Sequence, residues 1–123
     1  MSIINLNKDN FDEIINQSNV VLVDCWAVWC DICNKFKPVF ENVAEADANS
    51  IHTFAMLDTM QEKELSKEMN IEHIPTLLLY RDGILLFKQS GYFDKEKIND
   101  ILTQASNLDM NLVRKELETE KLS

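Results

Sequence analysis

Residues 23–33 read Val23-Asp24-Cys25-Trp26-Ala27-Val28-Trp29-Cys30-Asp31-Ile32-Cys33. Just upstream, Val20-Val21-Leu22-Val23 is apolar at every position, as a central, mostly parallel strand is when helices cover both of its faces, so a strand is expected over Val20 to Ala27. Downstream of Asp31 the period changes. Phe36, Val39, Phe40, Val43 and Ala44 recur at helical spacing with Pro38 inside the pattern, which predicts a kinked helix. Two cysteines three positions apart therefore fall at a strand-to-helix junction, where local backbone brings them close enough for a small disulfide ring. A sulfur at a helix N-terminus faces unpaired N–H groups and the positive end of the dipole, which favours thiolate over thiol. Cys30 lies at that end. Cys33, one turn further in, is better shielded and suits a resolving thiol that attacks a mixed disulfide formed by Cys30. Zinc ligation and a pair of unreactive core cysteines are the rival readings. A structural zinc site wants four Cys or His ligands; beyond the pair the chain offers only Cys25, His52 and His73, at no recognised spacing, so no metal is expected.

Working outward, Ile3 to Leu6 reads as a short strand, followed by a helix in which Phe11, Ile14 and Ile15 share a face, capped by Asp9 or Asn10. Ile51 to Leu57 reads as a strand and Gln61 to Met69 as a helix carrying Leu65 and Met69. Thr76 to Tyr80 and Ile84 to Gln89 are two strands joined across Arg81-Asp82-Gly83, the Asp-Gly pair being a strong hairpin signal. Asp94 to Ala105 reads as a capped helix with Ile98, Ile101 and Leu102 inward. Leu108 to Ser123 is either an added amphipathic helix, capped by Asn107 or Asp109 with Met110, Val113 and Leu117 on one face, or a tail continuing the preceding helix. The order implies an α/β fold with an antiparallel edge.

The chain has 123 residues, with 12 Lys+Arg against 21 Asp+Glu for a net charge of −9. That length fits one domain, and 46% hydrophobic with 27% charged residues is the balance of a globular protein. The negative surplus repels phosphate backbones and anionic headgroups, so neither nucleic acid nor membrane is expected as a partner. The longest apolar runs are far short of the roughly 18 residues a membrane span needs. The first residues carry no basic stretch followed by an apolar one, so no secretory signal is read and a cytoplasmic protein is expected. Three cysteines clustered within residues 25–33 do not make a disulfide-stapled scaffold.

Val23 to Cys33 resembles the thioredoxin signature, Val-Asp-Phe-Trp-Ala-x-Trp-Cys-Gly-Pro-Cys. Pro38 occupies the family's helix-kink proline, Ile74-Pro75-Thr76 resembles its cis-proline segment, and Gly83 and Gly91 fall where the family keeps glycines. The resemblance covers roughly residues 3–107. It implies a thioredoxin fold: a central mixed sheet of about five strands with helices on both faces, over a domain of residues 1–107, with 108–123 as a helical C-terminal extension. It further implies that Cys30 is the nucleophile and Cys33 the resolving thiol in reduction of protein disulfides, and that Asp24 is a buried carboxyl moving the proton to or from Cys33. Ile74 would present its backbone to an extended substrate strand, with Pro75 in cis, and Trp29, Asp31, Ile32 and Gly91 would complete the substrate face. Trp26 would pack beneath the site. His73 and Cys25 are given no catalytic part, Cys25 being read as a buried inert thiol. The redox-active Cys30-Cys33 disulfide would need no bound cofactor, and a thioredoxin-reductase-like partner would regenerate a monomeric protein.

Three departures from the family stand out. Asp31-Ile32 replaces Gly-Pro between the cysteines; the carboxylate disfavours the Cys30 thiolate, so a reducing protein is expected, nearer about −270 mV than about −120 mV. Met56 stands where the family has a lysine near the buried Asp, removing a counter-charge. Leu108 to Ser123 extends beyond the usual end of the fold. A binding or scaffold module of the same fold with weak redox activity is the alternative from another class, and an oxidant or isomerase the alternative among enzymes.

Overall fold

A computed structural model describes residues 3–47 and 52–122. Five strands form one sheet: β1 (Ile4–Asn5), β2 (Val20–Trp26), β3 (Thr53–Asp58), β4 (Thr76–Arg81) and β5 (Ile84–Ser90), in the order β1-β3-β2-β4-β5. β2 runs parallel to β3 and antiparallel to β4, and β5 closes the edge antiparallel to β4. The helices are α1 (Phe11–Ile15), α2 (Asp31–Ala46), α3 (Lys63–Glu68), α4 (Lys95–Ser106) and α5 (Met110–Leu122).

β2, apolar but for Asp24, is covered on both faces. Val20 and Leu22 pack with Phe36, Phe40 and Val43 of α2 and with Ile98, Ile101 and Leu102 of α4. Val21, Val23 and Cys25 pack on the other side with Ile15 of α1 and Leu65 of α3. Because side chains alternate along a strand, Asp24 and Trp26 belong to the α2/α4 layer, and the register sets Asp24 between Met56 of β3 and Leu77 of β4.

Several boundaries differ from the sequence reading for local chemical reasons. Asn10 precedes α1 but does not cap it. Its Oδ1 accepts from Asn7 N–H and its amide donates to the Asn5 carbonyl, while Asn7 Oδ1 accepts from the backbone of Asp9 and Asn10. The expected helix from Gln61 starts at Lys63, since Asp58 Oδ1 ties the Met60 and Gln61 N–H groups into a turn. Ile51, the expected start of a strand, lies outside the described residues. α2 runs through Pro38 without interruption. At its far end, His52 N–H donates to Asp47 Oδ2 at 2.8 Å, and the ring bridges Asp47 Oδ1 (3.1 Å) and Ser106 Oγ (3.3 Å).

The C-terminal segment is a helix of its own. Asp109 Oδ1 accepts from the N–H groups of Asn111 and Leu112, Met110 is buried, and Arg114 reaches Asp82 at 3.2 Å. Arg81 Nη1 donates to the carbonyls of Ala105, Ser106 and Leu108, tying the α4–α5 junction to the end of β4.

Candidate active site

Cys30 is the N-cap of α2. Its backbone is extended, and its Sγ accepts from the Cys33 N–H at 3.2 Å. The two cysteines are joined as a disulfide with Cα atoms 5.2 Å apart. Cys30 keeps 7% of its surface exposed against 1% for Cys33, so an incoming reagent meets Cys30 first. Asp31 is exposed beside it, and Trp29 and Ile32 are 65% and 52% exposed. Two large apolar side chains thus stand in water beside Cys30.

The Ile74-Pro75 peptide is cis and brings the Ile74 carbonyl oxygen to 3.9 Å from Cys30 Sγ. Gly91 N–H donates to the Pro75 carbonyl at 2.9 Å. Gly91 has φ +122, a conformation open to glycine and strained for other residues. The structure thus brings Cys30, Cys33, Trp29, Asp31, Ile32, Ile74, Pro75 and Gly91 to one end of the sheet. His73 is exposed in the same loop, and its carbonyl accepts from the Thr76 hydroxyl.

Asp24 is fully buried, and neither carboxyl oxygen has a hydrogen-bond partner among the described residues. Burial pushes its pKa up to about 7, and the nearby Lys37 charge opposes that rise. Met56 does lie opposite Asp24, but the expected absence of a counter-charge does not hold: Lys37 supplies one from α2. Sequence reasoning missed Lys37. Its spacing of four from Cys33 was the available signal, placing both on one side of a helix. Burial pushes the Cys25 thiol far up, so it stays protonated, and Cys25 sits in the opposite layer from Asp24. Among the described residues no three His, Cys, Asp or Glu side chains gather as metal ligands.

A disulfide at the head of a helix, facing a cis-proline loop, defines a thiol–disulfide oxidoreductase of the thioredoxin fold. The comparisons with known proteins agree. The Thioredoxin family model matches residues 2–104. A Streptomyces coelicolor protein named as a thioredoxin is 39% identical over 114 residues, covering 93% of this chain and 84% of the relative. Thioredoxin of Staphylococcus haemolyticus is 35% identical over 102 residues, covering 83% and 96%. The solved structure of a mutant thioredoxin from Halobacterium salinarum superposes with a TM-score of 0.78 at 25% identity, over 88% of this chain and 94% of that one. The chain belongs to the thioredoxin family.

Proposed function

We propose that this oxidoreductase works as a reductant of protein disulfides, with Cys30 as nucleophile, Cys33 as resolving thiol and Asp24 as the proton acceptor for Cys33. The carrying observation is the difference between the two sulfurs, Cys30 at the helix cap with residual exposure and Cys33 enclosed. In the first step the Cys30 thiolate attacks a substrate disulfide, forming a mixed disulfide and releasing one substrate thiolate, which takes a proton from solvent. In the second, Cys33 gives its proton to the Asp24 carboxylate and attacks Cys30 Sγ. The Cys30–Cys33 bond forms, the bond to substrate breaks, and the electron pair leaves on the second substrate sulfur, which is protonated in turn. Two thiols are oxidised to one disulfide and one disulfide is reduced to two thiols.

Ile74, Pro75 and Gly91 would receive the substrate backbone, while Trp29, Asp31 and Ile32 flank its side chains. Asp31 and Ile32 define the Cys-Asp-Ile-Cys form of the site, and the Asp31 charge next to Cys30 disfavours thiolate, which points to the reducing direction. A reductase of the thioredoxin-reductase type would return the disulfide to the dithiol. Cys25, a buried thiol kept unpaired, is compatible with a reducing compartment such as cytoplasm, and mutual repulsion at −9 favours a monomer. Residues 1–107 would be the catalytic unit and 108–123 an extension. The test is turnover of a protein disulfide. Cys33→Ser is expected to accumulate a covalent Cys30–substrate adduct and Cys30→Ser to lose reduction, as read by intact mass; an adduct on Cys33 in the Cys30→Ser protein at the wild-type rate would reverse the roles.

A further inference from the structure

The loop that carries Ile74 and Pro75 starts where α3 ends. That helix stops because Asn70 takes φ 56, the left-handed conformation that Asn adopts more readily than most residues. The Asn70 and Ile71 N–H groups then turn back to the carbonyls of Lys67 and Ser66, and Ile71 packs into the layer that holds Leu65. Two further carbonyls at this helix end, those of Met69 and Asn70, accept from Lys88 Nζ at 3.4 and 2.7 Å. Lys88 belongs to the edge strand β5, where it stands opposite Leu78. The far end of the loop is held by the same strand. Ser90, two positions on and so on the same face of β5 as Lys88, stands opposite Thr76 with the two hydroxyl oxygens 2.9 Å apart. Thr76 Oγ1 donates in turn to the His73 carbonyl, and Gly91 N–H to the Pro75 carbonyl. Residues 88–91 therefore grip the loop at its entry and at its exit. Between the two grips the Ile74 carbonyl oxygen comes to 3.9 Å from Cys30 Sγ.

We infer that Lys88 is a positioning residue for the incoming substrate strand: its ammonium fixes the entry of the cis-proline loop at the Met69 and Asn70 carbonyls, and with it the place of Ile74 over Cys30. The inference rests on the substrate-receiving role proposed above for Ile74 and Pro75. Lys88 acts through the loop and takes no part in the exchange of sulfurs. A neutral side chain of similar length in its place leaves the two carbonyls to water and loosens the entry, while the Ser90 and Gly91 grip stays. A disulfide presented on a peptide backbone is then received less well. A small disulfide with no backbone to dock meets the same Cys30 as before.

The experiment reacts the reduced protein, in single turnover, with three probes: a linear peptide carrying a mixed disulfide on its central cysteine, the same peptide N-methylated on both residues flanking that cysteine, and bis(2-hydroxyethyl) disulfide. In Lys88→Met the half-saturating concentration of the parent peptide is expected to rise about three- to tenfold at an unchanged maximal rate, a modest share of the roughly hundredfold that a misplacement of about 1 Å can cost. The small disulfide is expected to react at the wild-type rate. Lys88→Arg, which keeps a cation able to donate to both carbonyls, is expected to recover most of the loss; Lys88→Gln repeats the Met test should that variant fail to fold. Equal slowing on the peptide and the small disulfide, a loss confined to the maximal rate, a Lys88→Arg protein as impaired as Lys88→Met, or wild-type peptide kinetics in Lys88→Met overturns the inference. The N-methylated peptide separates that failure from failure of the premise. A wild type that reacts with it as fast as with the parent peptide removes the backbone-receiving role of the loop, and the Lys88 inference with it. A clear penalty in wild type, beside unchanged kinetics in Lys88→Met, overturns the part given to Lys88 alone.

Discussion

Burying Asp24, with no hydrogen-bond donor to either carboxyl oxygen among the described residues, gives the molecule a pH-dependent weakness. Its folded pKa of about 7 lies above the ordinary aspartate value of 3.8, so between those values the folded state holds a proton that the unfolded chain has lost. Stability is therefore greatest below the unfolded pKa and falls as pH rises through 7, by a total on the order of 4 kcal/mol from this group. Denaturant unfolding of wild type and Asp24→Asn at pH 4, 6 and 8 should show the wild type losing ground steadily against the variant. Parallel curves would mean that Asp24 titrates normally. The burial was legible from an Asp inside an apolar strand. Lys37 was legible only in part: its spacing from Cys33 puts the two on one side of α2, but its bearing on Asp24 depends on how α2 docks over β2. Thiol reactivity is the second residue-scale expectation. In the reduced protein, Cys30 should be alkylated well before Cys33 and Cys25, since Cys25 is fully enclosed and its thiol stays protonated. Peptide mass mapping at neutral pH reads the order, and first labelling at Cys33 would contradict it.

At the scale of elements, the β4–β5 hairpin closes through Asp82 and Gly83, which have φ of 55 and 77, the positive values that a two-residue turn matching strand twist requires at both positions. The Asp-Gly pair announced this turn. The irregularity in register between Leu79 and Tyr80 had no such mark, since a bulge depends on both strands at once. A Cβ at Gly83 would also collide with the Asn16 side chain. Gly83→Ala should therefore lose roughly 1 to 2 kcal/mol, the cost of left-handed backbone in an L-residue, measurable by urea unfolding with disulfide turnover at permissive temperature unchanged. The segment after α4 was open between a continued helix and a separate one. What separates them is Arg81, whose guanidinium gathers the carbonyls at the α4 terminus, a long-range partner that the local pattern could not reveal. Arg81→Met should cost about 2 kcal/mol, since it strips charged hydrogen bonds from those carbonyls, and should raise amide exchange across α5; full protection there would show α5 held by Met110 and its neighbours alone.

Over the whole molecule the active end and the opposite end are chemically unlike. Asp47, His52 and Ser106 make a hydrogen-bonded chain beside a cavity of about 450 Å³. Ser106, however, closes α4 at its carboxyl end, where the dipole is negative and would repel a developing oxyanion, so the chain acts as a clamp between α2, β3 and α4. The net charge of −9 is a property of the entire surface. It should make exchange with lysine-flanked disulfide peptides faster than with glutamate-flanked ones at low ionic strength, the two converging as salt screens the field; a salt-independent ratio would place the discrimination in local contacts at Asp31 instead. The two residues between the cysteines, finally, are exposed while both sulfurs are tucked into the protein. Side chains that support no core can be exchanged with little penalty to folding. This fold therefore offers evolution, or a randomised library at positions 31 and 32, a dial for electron affinity that turns independently of whether the chain folds.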